Sequence, residues 1–255
     1  VLSLAISPCP NDTFAFCNLA DRYRLVLDDV EALNLRAERG EFDVTKISVA
    51  AYGRFRDGYA LLKAGGAAGF GVGPLLVAKT ARAPGGRIAV PGDRTTAALL
   101  LRLLGDFDTV AMRFDLIEGA VLDGSVDCGV LIHEGRFTYA SKGLVRLADL
   151  GEVWEARMAC PLPLGAIAIR RSLGAEVARR LDDEIRASVR GAWARPEACD
   201  GFVRRHAQEM SPDVVRRHID LYVNDYTLGL DETAVERLVA LGEDFGLYPR
   251  SSHAL

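Results

Sequence analysis

Four stretches hold side chains of the types that do chemistry, three of them where a strand should give way to a helix and the fourth where a strand runs out into a loop. Ser7-Pro8-Cys9-Pro10-Asn11-Asp12-Thr13-Phe14 follows the apolar run Leu2 to Ile6. Two prolines fix its turn, and Asn11 or Asp12 can cap the helix it opens, leaving backbone N–H groups beyond the strand end. Such a terminus holds anions in α/β proteins, but a purely structural cap uses the same residues. Thr45-Lys46-Ile47-Ser48, opening a helix through Tyr52, and Gly92-Asp93-Arg94-Thr95-Thr96-Ala97 repeat the pattern, so three hydroxyl-bearing helix starts are expected. Their shared placement is what favours a ligand role over simple capping.

His133 is the most specific single residue. It follows the apolar strand Val126 to Ile132 and precedes Glu134-Gly135-Arg136-Phe137, so it emerges at a strand's C-terminal end. Imidazole titrates near neutrality and can take a proton from a substrate hydroxyl. His206 and His218 stand on Arg-rich helices and His253 in the tail, and all three read as solvated. No HExxH pairing and no second histidine at ligand spacing is present in the sequence, so no metal is expected. Cys9 at a helix start is either a nucleophile with a lowered pKa or a packed thiol.

The elements that must position these residues are short apolar runs alternating with amphipathic segments, the signature of an α/β fold with parallel strands. Strands are predicted at 2–6, 24–28, 42–47, 59–63, 74–79, 87–91, 108–114, 126–132, 144–149 and 165–170. Helices are predicted at 95–104 and 115–123, stopping at Gly105 and Gly124, then at 174–194, 196–208, 212–223 and 232–245. A tail of helices without new strands packs back on an existing sheet. The expected arrangement is a discontinuous first lobe of residues 1–81 and 165–255 and a second lobe of 82–164. The bend Ala81-Arg82-Ala83-Pro84-Gly85-Gly86 serves as a hinge crossover, with a ligand cleft between the lobes. Gly65 to Pro74 fits neither GxGxxG nor GxxxxGK[ST] and reads as a close-packed or mobile segment, so nucleotide binding has little support.

Bulk composition narrows the classes further. The net charge of −4, with 31 Lys and Arg scattered along helix surfaces, disfavours nucleic acid and anionic membrane as partners. Five cysteines without a CxxC pair predict reduced thiols rather than a disulfide scaffold. The apolar start is too short for a signal segment and no run approaches the roughly 18 residues of a membrane span, so a cytoplasmic protein is expected.

The amino-terminal Ser7-Pro8-Cys9-Pro10-Asn11-Asp12-Thr13-Phe14 resembles the signature of the 1,4-dihydroxy-6-naphthoate synthase family. Thr45 to Ser48, Gly71-Val72-Gly73-Pro74-Leu75, Thr95-Thr96-Ala97, Ile132-His133-Glu134, Arg136 to Tyr139 and Leu162 to Ala166 extend the similarity along the chain. The resemblance implies a two-lobed fold like that of periplasmic solute-binding proteins and a carbon–carbon lyase of the futalosine route to menaquinone, working in the cytoplasm without a cofactor. Its substrate would be cyclic dehypoxanthine futalosine. Carried over residue by residue, it makes His133 the general base and Ser48, Thr96 and Ala97 the ligand-contacting groups, with Asn11 and Thr13 chosen for their place in the signature. A non-catalytic solute-binding protein of the same fold is the alternative from another class, and chorismate dehydratase a related enzyme. The amino-terminal signature disfavours the latter.

Overall fold

The computed structural model describes residues 1–207 and 211–250. His253 and the predicted helix end at residue 208 lie outside the described residues. The chain forms two compact units, one of Val1–Gly69 together with Pro163 onward and one of Phe70–Leu162.

In chain order the strands are β1 (Ser3–Ile6), β2 (Arg24–Leu27), β3 (Val44–Ser48), β4 (Tyr59–Leu61), β5 (Ala67–Gly69), β6 (Leu75–Ala78), β7 (Arg87–Val90), β8 (Asp108–Ala111), β9 (Cys128–Leu131), β10 (Val145–Asp149) and β11 (Leu162–Arg170). The helices are α1 (Pro10–Phe16), α2 (Val30–Glu38), α3 (Thr96–Leu101), α4 (Phe114–Asp123), α5 (Gly135–Thr138), α6 (Leu150–Met158), α7 (Gly174–Ala194), α8 (Glu197–His206), α9 (Pro212–Tyr222), α10 (Asp225–Leu228) and α11 (Glu232–Asp244).

The first unit carries a sheet in the order β2-β1-β3-β11-β4, with β5 also on β11. β1 runs parallel to β2 and β3, while β11 is antiparallel to β3 and β4. The core under it joins Leu4, Ile6, Val44, Ile167 and Ile169 of the strands to Phe14 and Phe16 of α1 and to Leu181, Ile185 and Val189 of α7. The spacing of the α7 residues places them on one face of a helix. Gly65, at φ 84°, allows a close approach in which a Cβ would lie 2.7 Å from Ile167 Cγ1 and 2.8 Å from Phe16 Cζ. The Gly-rich stretch is therefore closely packed at this point, and it supplies β5, which the sequence reading did not anticipate.

The second unit carries a sheet in the order β10-β6-β9-β7-β8. β7 runs parallel to β8 and β9, and β6 is antiparallel to β9 and β10. Its core gathers Leu75, Val77, Ala89 and Leu131 from the strands with Ile117 and Val121 from α4.

Two expectations change here. Both sheets are mixed rather than parallel throughout, because β6, β10 and β11 enter against their neighbours. The chain passes into the second unit at Phe70, before the bend at Ala81 to Gly86, since β6 completes its hydrogen bonding on β9 and β10. That bend lies inside the second unit and joins β6 to β7.

Candidate functional site

In the first unit, β1 and β3 are parallel neighbours in the register Leu4↔Val44 and Ala5↔Thr45. Ser7 and Ser48 therefore leave the sheet at the same end, the end at which open α/β sheets bind ligands. α1 starts on Pro10, whose missing N–H costs nothing in a first turn. Its N-cap is Cys9, which makes no side-chain capping bond, so the expected capping by Asn11 or Asp12 does not occur.

Asp12 instead turns back and inward. Its Oδ2 accepts from Ser7 Oγ at 2.7 Å and Ser7 N at 3.3 Å, and its Oδ1 from Lys46 Nζ at 2.7 Å and Asn11 Nδ2 at 2.9 Å. Lys46 Nζ donates a second bond to Gly65 O at 3.1 Å. The two charged side chains are only 6% and 3% exposed, so each depends on these bonds to offset the loss of water.

A carboxylate can only accept, so the amide nitrogen of Asn11 must face Asp12 and Asn11 Oδ1 must face the other way. There it meets His218 Nε2 at 2.9 Å. His218 is 1% exposed, which corrects its expected place on a solvated helix face. It belongs to the stripe Val215, His218, Ile219 and Tyr222 of α9, spaced for one helical face, and that spacing was the signal its Arg-rich neighbours hid. His206, by contrast, is half-buried against Phe202, and burial holds its pKa below the usual imidazole value.

Ser48 also departs from expectation. Thr45 to Ser48 is the end of a wholly buried strand, hydrogen-bonded on both sides, and the chain then enters a 3₁₀ turn at Val49–Arg54 rather than an α-helix. Ser48 N donates to Asn34 Oδ1 at 2.8 Å, and Ser48 Oγ accepts from Asn34 Nδ2 at 3.0 Å. The hydroxyl is thereby fixed by α2 with its own proton left to donate elsewhere. Thr13 is fully buried, and its hydroxyl donates to Cys9 O at 3.0 Å. It holds the turn together from inside.

The second unit repeats the strand-end arrangement. β7 and β9 are parallel neighbours, paired at Ile88↔Cys128 and Ala89↔Gly129, so the segments carrying Thr96 and His133 leave the same end of one sheet. Thr95 serves as the N-cap of α3, accepting from Ala98 N at 3.2 Å, while Thr96 and Ala97 form its first turn, each 3% exposed. His133 sits at φ 56°, in the left-handed region. A non-glycine residue held there has a conformation fixed by its surroundings. Its ring makes a T-shaped contact with that of Phe114, with centroids 4.8 Å apart and planes at 70°.

The turn after His133 is anchored by Arg136, whose guanidinium donates to Gly73 O and, at 2.9 Å, to Asp149 Oδ2. Asp149 also caps α6, accepting from Gly151 N at 2.9 Å. Gly73 and Gly151 pass so closely that a Cβ on Gly73 would stand 2.1 Å from Gly151 N. The sequence singled out the Gly71 to Leu75 and Arg136 to Tyr139 segments without showing that they meet.

Among the described residues no group of His, Cys, Asp and Glu is arranged to hold a metal ion, and no helix is long and apolar enough to cross a membrane. Cys17 and Cys199 are joined as a disulfide, contrary to the expectation of reduced thiols throughout. The helical tail folds α8 back onto the turn after α1 and brings their Cα atoms to 5.7 Å.

The family described as menaquinone biosynthesis matches residues 2–244. A Streptomyces coelicolor protein named 1,4-dihydroxy-6-naphthoate synthase is 46% identical over 267 residues, covering 97% of this chain and 95% of that protein. A Thermus thermophilus protein of the same name is 46% identical over 267 residues, covering 100% and 98%. The crystal structure of an Archaeoglobus fulgidus protein is 38% identical, with a TM-score of 0.92 over 96% of this chain and 98% of that chain. The periplasmic aliphatic sulphonate-binding protein of Escherichia coli is 10% identical, with a TM-score of 0.66 over 98% and 88%, a likeness of fold alone.

Proposed function

This chain belongs to the menaquinone-biosynthesis family and is related along its length to 1,4-dihydroxy-6-naphthoate synthases, and on that premise we propose that it is a carbon–carbon lyase converting cyclic dehypoxanthine futalosine to 1,4-dihydroxy-6-naphthoate. His133 is the general base. The observation that carries this role is its backbone at φ 56° at the end of β9, beside the parallel strand that leads to Thr96. A ring held in a left-handed turn by its surroundings needs little reorganisation to meet a substrate proton.

The chemistry asks for proton transfer and for donors to oxygen. Removing a proton from a substrate hydroxyl lets that oxygen form a carbonyl as the adjacent C–C bond breaks. The released electron pair passes into the ring system that becomes the aromatic product. Thr96, Ala97, Ser48 and Asn11 are the proposed contacts to carboxylate or sugar oxygens, each through a charge-assisted or neutral hydrogen bond. Thr13 enters the proposal as a buried support of the signature turn. The reaction is assigned to the cytoplasm, with this small molecule as the partner.

The test is to incubate the purified protein with the cyclic substrate and follow the naphthoate chromophore. His133→Asn keeps a polar side chain that tolerates a left-handed backbone, so it should fold and still bind, yet lose about 10² to 10⁴ in turnover. Wild-type protein that binds the substrate and releases no naphthoate would favour the solute-binding alternative. Near-wild-type turnover in a folded His133→Asn variant would remove His133 as base.

A further inference from the structure

We infer that His218, far along the chain in the helical tail, is a positioning residue for the proposed reaction, acting through the side-chain amide of Asn11. The inference rests on the proposed function and adds to it a residue that touches no part of the substrate.

The geometry runs in one direction from a fixed charge. Lys46 Nζ, 2.7 Å from Asp12 Oδ1, holds the carboxylate in place, with Ser7 Oγ at 2.7 Å on the other oxygen. Asn11 Nδ2 must then donate to Asp12 Oδ1, at 2.9 Å, because a carboxylate offers no proton. Asn11 Oδ1 is left to accept from His218 Nε2 at 2.9 Å, so the proton of the imidazole is on Nε2. Turning the amide over would set its oxygen against the carboxylate and its NH₂ against an N–H unless the imidazole proton first moved to Nδ1. Both ends therefore oppose the same rotation.

Asn11 keeps one N–H and one oxygen lone pair not used by Asp12 and His218, and these point in directions set by the two partners. An amide held in this way can present a donor to a substrate oxygen without first paying to order itself. Packing alone does not call for an imidazole at position 218. The ring lies tilted on Tyr222, with centroids 4.7 Å apart and planes at 48°, a contact that a phenyl ring would also make. What a phenyl ring lacks is the N–H.

The experiment compares His218→Phe, which keeps the ring, with His218→Gln, whose amide N–H can reach about where Nε2 stands. Steady-state turnover of the cyclic substrate is measured beside thermal unfolding. His218→Phe should lower kcat/KM by about tenfold, mainly by raising KM, the effect of losing one well-placed neutral hydrogen bond. His218→Gln should recover most of it. In an Asn11→Ala background His218→Phe should add almost nothing, a non-additivity that a merely structural role would not produce. Independently of turnover, the nitrogen-15 shifts of the imidazole should show the Nε2–H form in the wild type and lose that preference in Asn11→Ala. A folded His218→Phe variant with wild-type kcat/KM, an undiminished effect in the Asn11→Ala background, or an Nδ1–H imidazole each overturns the inference. Wild-type protein that turns over no substrate overturns the proposed function instead, a result distinct from any of these.

Discussion

Replacing Lys46 by methionine removes a charge from the most enclosed ion pair among the described residues of the first unit while keeping the length and apolar stem of the side chain. At 2.7 Å and an effective dielectric near 20, the attraction lost is about 6 kcal/mol. Part of that returns, because the unfolded chain no longer has an ammonium to strip of water on folding. Asp12 also keeps Ser7 Oγ, Ser7 N and Asn11 Nδ2 as donors. The remaining cost should fall near the lower end of what breaking a buried pair entails, about 3 kcal/mol. Gly65 O also loses its Lys46 donor, which works in the same direction.

For a chain of 255 residues, a loss of about 3 kcal/mol corresponds to a fall in Tm of roughly 6–12 °C. The assay is thermal unfolding of the wild type, Lys46→Met, Asp12→Leu and the double variant in one buffer, read as a thermodynamic cycle. The double variant should be more stable than Lys46→Met, since it leaves no uncompensated charge inside. A fall in Tm of under about 2 °C for Lys46→Met, or a double variant that simply adds the two single losses, would show that the carboxylate does not depend on the ammonium, and the reasoning would fail.

Other perturbations test separate parts of the structure. Gly73→Ala should cost about 1–3 kcal/mol, because its Cβ would stand 2.1 Å from Gly151 N and 2.6 Å from Asp149 Oδ1, atoms with little room to yield; an unchanged Tm would count against this close passage. Thr96→Val should weaken substrate binding by roughly 1–3 kcal/mol while keeping side-chain shape, and calorimetry showing equal affinity would take Thr96 out of the proposed site. Burial pushes the phenol of Tyr248 from 10.0 up to about 12. A raised value in the folded state means that this stabilisation is complete below pH 10 and disappears as pH rises through about 12. At about 1.36 kcal/mol per pH unit this amounts to nearly 3 kcal/mol. Tyr248→Phe should accordingly flatten the alkaline side of the stability curve, and an identical alkaline loss in both proteins would contradict the shift.

Local signals in the sequence carried well into the structure, and signals that depend on partners did not. Thr95 caps α3 and Gly124 ends α4 in a left-handed conformation because both outcomes are decided within one helical turn. Thr45 to Ser48 failed as a helix start for the opposite reason. A strand paired on both edges and buried on both faces shows no alternation, and Thr and Ser near its end look like caps until the neighbours β1 and β11 are known. The same holds for β6, whose residues read correctly as a strand while its unit was settled only by pairing with β9 and β10. His218 was misread by weighing Arg216 and Arg217 above the spacing of Val215, His218, Ile219 and Tyr222. Asn11 lies 207 residues from it in sequence, and no local pattern joins the two.

The residues that the sequence could not connect share a physical role. In each unit the chain leaves the C-terminal ends of two parallel neighbouring strands, and a loop there has too few backbone partners of its own to hold one conformation. A buried or half-buried charge pair makes up the difference. In the first unit Lys46 on β3 holds Asp12 of the signature turn, and in the second Arg136 after His133 is held by Asp149 at the start of α6. An apolar pair of similar volume would fill either space at comparable or better stability. It would not, however, fix direction: Asp12 turns the amide of Asn11, and Arg136 ties the turn after His133 to Gly73 O and Asp149 at once. The charges are therefore best understood as setting orientation. On that view, variants that neutralise both members of a pair should retain the fold while losing the placement of the polar group beside it.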